Sequence, residues 1–349
     1  MARRDIVVIG TSAGGVEALM RLVAQLPADF PAALLVVLHL APGHRSLLPG
    51  ILTRAGHLPA LHPEDGAPLE LGHIYVAPND RHLVVEPGHV RVVKGPRENN
   101  HRPAVDPLFR SAARAYGARV VLTGALDCGT AGLLAVKAQG GLAVVQDPKD
   151  AFCPDMPRSA LEYVQVDHCV PLAEMGALLG RLVTAPLPRT KPPAPSRRME
   201  QEVKAVMTSE PGVHSDPKEY GHLSHFSCPD CGGVLFEMDE QGLLRYRCRV
   251  GHAYTAGALS VQQQTALDGA LWAALRALEE SASLVRRMAR RARERNHQQS
   301  ALRYDERAKA TEEQAELVRQ LVLSTTQKPP GVEAEGLPSG GDSGGEATD

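Results

Sequence analysis

Two groups of residues in this sequence have the types and spacing that chemistry needs. The first is Gly10-Thr11-Ser12-Ala13-Gly14-Gly15, which follows the apolar run Ile6–Ile9 and precedes a helical pattern. Gly10-x-Ser12-x-Gly14 matches a serine nucleophile elbow, in which glycines allow a sharp turn that exposes Oγ. The helix behind it would offer backbone N–H groups to a developing oxyanion. A phosphate cradle is a second reading, although the loop lacks a Lys-Ser/Thr ending and the G-x-G-x-x-G spacing. A third is a plain tight turn whose serine caps the helix. On the motif alone the three stand level. The second group is Cys228-Pro229-Asp230-Cys231-Gly232-Gly233, followed by Cys248 and His252 in a C-x2-C-x16-C-x3-H pattern. Three thiolates and an imidazole satisfy tetrahedral Zn2+. A redox pair of Cys228 and Cys231 is the weaker reading, because Cys248 and His252 complete a closed shell. A closed shell has no open position, so the metal it implies is structural and catalysis needs no cofactor.

These groups need elements to position them. Ile6–Ile9, Leu34–His39, Ile74–Ala77, Val120–Thr123 and Leu142–Gln146 read as strands, bounded by Gly, Pro or Asp and rich in Val and Ile. Val16–Leu26, Ser46–Ala55, Pro107–Tyr116 and Gly129–Gln139 read as the helices between them. Strands that are apolar throughout and alternate with helices imply an α/β fold, a doubly wound and mostly parallel sheet. His82–Glu86 and His89–Val93, joined by Pro87-Gly88, read as an antiparallel hairpin added to that sheet.

Strand ends then supply partners for Ser12. The second strand ends at His39, which would lie beside Ser12 and serve as its base. The strand Val120–Thr123 runs into Gly124-Ala125-Leu126-Asp127-Cys128-Gly129, which offers an orienting acid. The order Ser, His, Asp differs from the α/β-hydrolase order Ser, Asp, His.

At this point residues 5–183 resemble the catalytic domain of the CheB-type chemotaxis protein-glutamate methylesterases. The matching segments begin with Val8–Gly15, Val37-Leu38-His39-Leu40, Pro63–Gly66 and Gly72–Pro78. They continue with His101–Phe109, Leu122-Thr123-Gly124 and Met156-Pro157-Arg158. The resemblance implies hydrolysis of glutamate methyl esters on chemoreceptors, with release of methanol, and deamidation of receptor glutamines. It implies Ser12 as nucleophile and His39 as base. Thr11, Ala13 and Ala125, with Arg102, form the oxyanion- and substrate-binding group it points to. The family's aspartate usually stands directly before the glycine, where this chain has Cys128. A thiol is a weak acceptor and orients imidazolium poorly. Either Asp127 or Cys128 stands beside His39, or Ser12 and His39 work as a dyad, or the domain is slow. A catalytically weakened module that only binds receptors or signalling partners is the alternative. A surface Arg102 with Asp106 as a helix cap is the plain reading of that segment. Family members with a phosphorylation switch carry a receiver domain ahead of the catalytic one. This sequence starts at the first catalytic strand, so regulation is expected from elsewhere.

The organisation expected is a catalytic domain over 1–183, a Pro-rich linker over 184–224 and a zinc-ribbon-like module over 225–258. An α-helical hairpin or coiled coil over 259–325 and a disordered tail over 326–349 complete it. One helical seam is Leu267, Leu271, Ala274, Leu278, Ala282 and Val285. The other is Tyr304, Ala308, Thr311, Ala315, Val318 and Val322. A continuous helix that dimerises is the rival, and a homodimer through these helices is a partner expectation. Arginines cluster between 286 and 295, but acids interrupt them and no aromatics interleave, so a solvated helix face is favoured over nucleic-acid binding.

Composition narrows the classes. Of 349 residues 43% are apolar and 22% charged, with 38 Lys and Arg against 40 Asp and Glu and a net charge of −2. That balance argues against a strongly electrostatic nucleic-acid or membrane binder. No apolar run approaches membrane-spanning length, and six cysteines are too few for a disulfide scaffold. The expectation is a cytoplasmic protein acting on a methylated chemoreceptor or another methylated signalling protein.

Overall fold

The computed structural model describes residues 5–11, 13–39, 46–117, 119–122, 128–186, 193–208 and 221–325. The expected tail over 326–349, together with Ser12, Ala125 and Asp127, lies outside these residues. The chain divides into two units, Met1–Gln263 and Gln264–Asp349.

The first unit opens with β1 (Ile6–Thr11), α1 (Gly15–Val23), β2 (Ala33–Leu38), α2 (Leu48–Ala55), β3 (Ala60–Leu61) and β4 (Ile74–Val76). The hairpin β5 (His82–Glu86) and β6 (His89–Val93) comes next, followed by α3 (Val105–Tyr116), β7 (Arg119–Leu122), α4 (Thr130–Ala138) and β8 (Leu142–Gln146). This half closes with α5 (Asp155–Tyr163), β9 (His168–Val170) and α6 (Leu172–Thr184). Seven strands form one sheet in the order β3-β4-β2-β1-β7-β8-β9, and every pairing in it is parallel. Period-two burial explains the layers. Ile6 and Val8 of β1 join Val105, Phe109, Leu133 and Met156 on one face, while Val7 and Ile9 join Leu19, Leu22, Leu52 and Leu179 on the other. The doubly wound parallel fold expected from the sequence is present.

The hairpin differs from expectation. β5 and β6 pair with each other and form a sheet of their own instead of extending the large one. Both of its faces are already covered. Leu83 and Val85 join the core beside α3, and the Val85 N–H donates to Ser111 Oγ on that helix. Val84 and Val93 pack on Val203 and Val206. Those two residues belong to α7 (Arg197–Met207), which sits inside the segment expected to be an extended linker. Ser196 caps α7 by accepting the Met199 N–H at 3.2 Å, and Met199, Val203 and Val206 form its buried stripe.

The first unit continues with an antiparallel sheet, β10 (His222–Ser227), β11 (Val234–Glu240), β12 (Leu243–Cys248) and β13 (Ala253–Thr255). α8 (Ala256–Glu294) follows and α9 (Gln298–Thr325) ends the described chain. In the second unit, Arg319, Arg286 and Arg293 pair with Glu279, Glu312 and Asp305 across the two helices. Each step of seven residues forward on α8 thus meets seven residues back on α9, which defines an antiparallel hairpin. Asn296, with φ of 60°, turns the chain between them. Ala282, Val285, Ala289 and Ala292 face Ala301, Ala308, Ala315 and Val322 in burial period. Of the first expected seam, Leu267 is exposed, and Leu275 is buried one position beyond the expected Ala274.

Candidate active site and metal centre

Strand order decides where a ligand meets this sheet. β2 flanks β1 on one side and β7 on the other, so the winding reverses at β1. In open α/β sheets the crevice beyond the carboxyl ends of such strands is where ligands bind. Thr11 and Leu38 are register partners, and Gly10 pairs with Leu122. The carboxyl ends of β1, β2 and β7 therefore lie side by side. Thr11, Ala13, His39 and Cys128 stand at these exits, whereas Ser12, Ala125 and Asp127 lie outside the described residues. Two glycines of the first loop have physical reasons. A Cβ on Gly10 would lie 2.3 Å from Val105 Cγ1, so glycine lets α3 approach the strand. Gly14 caps α1 with φ of 75°, a conformation that side chains resist.

His39 is the most informative group. Its backbone N–H donates to the Thr11 carbonyl at 3.2 Å. Its ring lies flat on His101, with centroids 3.7 Å apart and 3° between planes. Burial, with His101 beside it, holds the imidazole well below its ordinary pKa, so it is neutral at pH 7. Among the described residues neither ring nitrogen has a hydrogen-bond partner, and the buried Thr11 Oγ1 has none either. A neutral, desolvated imidazole is a proton acceptor.

The other expected residues have different surroundings. Arg102 donates to Asp80 Oδ1 at 2.7 Å and to the Gly95 carbonyl at 2.9 Å, so its guanidinium is spent on a neighbouring turn. Asp106 is not a surface cap. The cap position is Ala104, and the fully buried Asp106 accepts the Gly132 N–H at 2.7 Å and the Asn99 amide at 3.1 Å. Burial and Glu98 push its carboxyl up to about 6. Cys128 is buried, and burial with Asp106 nearby raises its thiol well above the ordinary value. The Asn99 amide and the N–H groups of Val105 and Asp106 aim at its sulfur. Sequence reasoning missed His101 as a partner of His39, although His101-Arg102-Pro103 stood among the matching segments. It also missed Glu98, Arg110, Glu202, Arg245 and Arg247, which form one buried ion cluster.

The four metal-type residues converge. One ligand atom from each of Cys228, Cys231, Cys248 and His252 falls within 4.8 Å of all the others. Cys231 and Cys248 sulfurs are 3.7 Å apart, and His252 Nδ1 is 3.6 Å from Cys228 Sγ and 3.5 Å from Cys248 Sγ. A zinc tetrahedron with Zn–S of about 2.3 Å has S···S edges of about 3.8 Å and S···N edges of about 3.6 Å. The residues therefore fit Zn2+. The hydrogen bond from Cys248, opposed by burial and aided by His252, draws the Cys228 thiol down to about 3, while burial raises Cys231 and the Cys228 sulfur raises Cys248, so the metal-free set favours a single thiolate.

Comparison with known proteins adds a family. The sequence model of the family described as CheB methylesterase matches residues 7–179. Protein-glutamate methylesterase/protein-glutamine glutaminase 2 of Anaeromyxobacter dehalogenans is 40% identical over 184 residues, 52% of this chain and 54% of that protein. A putative protein-glutamate methylesterase/protein-glutamine glutaminase of Leptospira interrogans is 36% identical over 182 residues, 51% of this chain and 94% of that protein. The crystal structure of the Thermotoga maritima CheB methylesterase catalytic domain is similar with a TM-score of 0.50 and 34% identity, covering 52% of this chain and all of that one. The chain spans about half the length of several curated relatives it matches, the Anaeromyxobacter protein among them.

Proposed function

This chain belongs to the CheB methylesterase family, and on that premise we propose that it hydrolyses glutamate methyl esters on a methylated chemoreceptor or related signalling protein. The observation that carries the reading is His39, neutral, buried and without a hydrogen-bond partner among the described residues, at the strand end beside the glycine loop. Ser12 Oγ attacks the ester carbonyl while His39 takes its proton. His39 returns that proton to the leaving methoxide, which departs as methanol and leaves an acyl-serine. Water then attacks with His39 again as base, and the products are glutamate and free Ser12. Backbone N–H groups at the start of α1, around Ala13, stabilise the oxyanion. The same steps with ammonia as the leaving group deamidate glutamine.

Burial makes imidazolium costly at His39, so the reaction needs an anion to orient and stabilise it. Cys128 is held as a neutral thiol, so either Asp127 supplies that anion or Ser12 and His39 work as a dyad that a carboxylate at position 128 would improve. Cys228, Cys231, Cys248 and His252 hold a structural Zn2+, which supplies cross-linking energy and no reaction chemistry. Exposed Trp272, Leu284, Leu302 and Leu317 support a homodimer through the helical hairpin. No described helix is long and apolar enough to cross a membrane, in keeping with action in the cytoplasm. Cys128 in the carboxylate position favours a second reading, a weakened module that binds receptors without turnover.

Methanol release from a methylated chemoreceptor tests both. Ser12→Ala is expected to lower the rate by at least about a thousandfold. Cys128→Asp is expected to raise it, because the Asn99 amide and two helix N–H groups already face that position. Release that survives Ser12→Ala would overturn the mechanism. No release from a folded wild-type protein would leave the binding module.

A further inference from the structure

The cysteine-histidine module reaches the base of the proposed site through one short chain of contacts. His101 lies flat against His39, as above. It ends a two-residue turn, Glu98-Asn99-Asn100-His101, closed by the His101 N–H on the Glu98 carbonyl at 3.0 Å and the Glu98 N–H on the His101 carbonyl at 3.3 Å. Asn99 and Asn100 have φ of 50° and 65°, the left-handed pair that such tight turns require. Asparagine tolerates this conformation better than most side chains, at some cost in energy. A turn of this kind needs outside support.

The support comes from β13. The Asn99 N–H donates to the Ala253 carbonyl at 2.7 Å, and the Ala253 N–H donates to the Arg97 carbonyl at 3.2 Å. The Thr255 N–H donates to Asn99 Oδ1 at 2.8 Å. Ala253 directly follows the metal-type residue His252, whose carbonyl accepts the Cys248 N–H at 2.9 Å. Arg97 pairs with Asp230, which lies between Cys228 and Cys231, at 3.5 Å. Arg247, next to Cys248, donates to Glu98 at 3.1 Å. Ala253, Thr255 and Arg247 thus grip the turn, and Asp230 holds Arg97 just ahead of it, each adjacent to a metal-type residue or within three positions of one.

We infer that His101 is a positioning residue for the His39 imidazole, and that metal in the Cys228, Cys231, Cys248 and His252 set holds it there. The module is then a device that makes activity depend on metal loading. This inference rests on the reading of His39 as the base. Stacking fixes the plane of a ring whose nitrogens have no other described partner, and it keeps water off one face. Loss of metal frees the Cys248–His252 loop, β13 loosens, and the left-handed turn relaxes. His39 then gains water and rotational freedom. Among the described residues the group acting on His39 is His101, and the charged group acting on His101 is Arg97.

The test uses the full chain with zinc bound and after chelation. The first readout is NMR titration of the His39 imidazole in a Ser12→Ala background, which needs no turnover. Zinc removal, His101→Ala and Asn99→Gly are each expected to shift the His39 titration upward. Asn99→Gly keeps the positive φ and cuts the tie to Thr255 without touching a metal ligand, but it also removes the amide from Asp106 and Cys128, so a shift in Asn99→Gly that zinc removal does not reproduce counts against the coupling. His101→Phe, which keeps a stacking ring, is expected to retain more of the wild-type behaviour than His101→Ala. In the active enzyme, His101→Ala is expected to lower kcat about 10- to 100-fold with KM little changed. Zinc removal from His101→Ala should add no further shift. Chelation and Asn99→Gly that both leave the His39 titration unmoved, with circular dichroism intact, would overturn the coupling. Absence of esterase activity would instead count against the proposed function, and the titration would still decide the coupling.

Discussion

Arginines meet carboxylates in two regions of this protein under opposite conditions. In the first unit, Arg110 of α3 and Arg245 and Arg247 of β12 meet Glu98, Glu202 of α7 and Glu240. Glu98 and Arg247 are each 1% exposed. In the second unit, Arg286 and Glu312 are 42% and 45% exposed. The cluster sets three buried guanidiniums against the buried Glu98 and Glu202 and the partly exposed Glu240, and it ties the α/β half to α7 and to the cysteine-histidine sheet. Its members have given up hydration and survive only as a set. The exposed pairs cost little to break, because water and salt replace the partner. Their regular spacing records the register of the helical hairpin more than it stabilises it. The same chemistry therefore fixes tertiary placement in one region and decorates a surface in the other.

Removing one member of the buried cluster should give the largest effect. Glu202→Ala leaves Arg110 and Arg245 facing each other without their shared acid, and a loss of about 3–5 kcal/mol is expected in urea unfolding. A loss under about 1 kcal/mol would erase the contrast between the two regions.

Acid sharpens it next. Burial opposes charge on Glu98, but Arg110 and Arg247 hold its pKa down to about 2 in the fold, against about 4.5 for the free group. A depressed carboxylate stabilises the fold above about pH 4.5, and that stability is lost as pH falls towards 2. Histidines act earlier. Burial holds His82 and His101 at about 4, so both stay neutral in the fold while the unfolded chain takes up protons below about 6.5. Their contribution is present above pH 6.5 and lost as pH falls to 4. Asp106, raised to about 6, works in the opposite direction, costing stability above that pH and relieving it on acidification. Thermal melts from pH 7 to 2.5 should fall in two stages, and the lower stage, to which Glu202 and Asp65 also contribute, should shrink in Glu98→Gln.

The smallest effect belongs to the hairpin. Arg286→Ala should leave the melting temperature nearly unchanged, and what change there is should vanish at high salt. A salt-resistant loss would mean that the exposed pairs hold the hairpin after all.

Much of the candidate site could be read in the sequence because its signals are local. Gly10 and Gly14 bracket a strand-to-helix turn, and Cys228, Cys231, Cys248 and His252 carry their ligand spacing along the chain. α7 was equally local, with Ser196 as cap and Met199, Val203 and Val206 as its stripe, but the surrounding prolines masked the pattern. Glu98, Arg110, Glu202, Arg245 and Arg247 carry no such signal. Each reads as a surface charge, and burial becomes affordable only when all of them meet.

The sequence by itself determined which strands lie inside, where the first loop turns and which four side chains can share a metal, because backbone preference and spacing act over a few residues. Only the tertiary structure decided that the hairpin stands apart from the main sheet, that His101 covers His39, and that β13 holds the turn that ends in His101. Those outcomes depend on residues far apart in the chain competing for the same buried surface, and no local pattern records who wins.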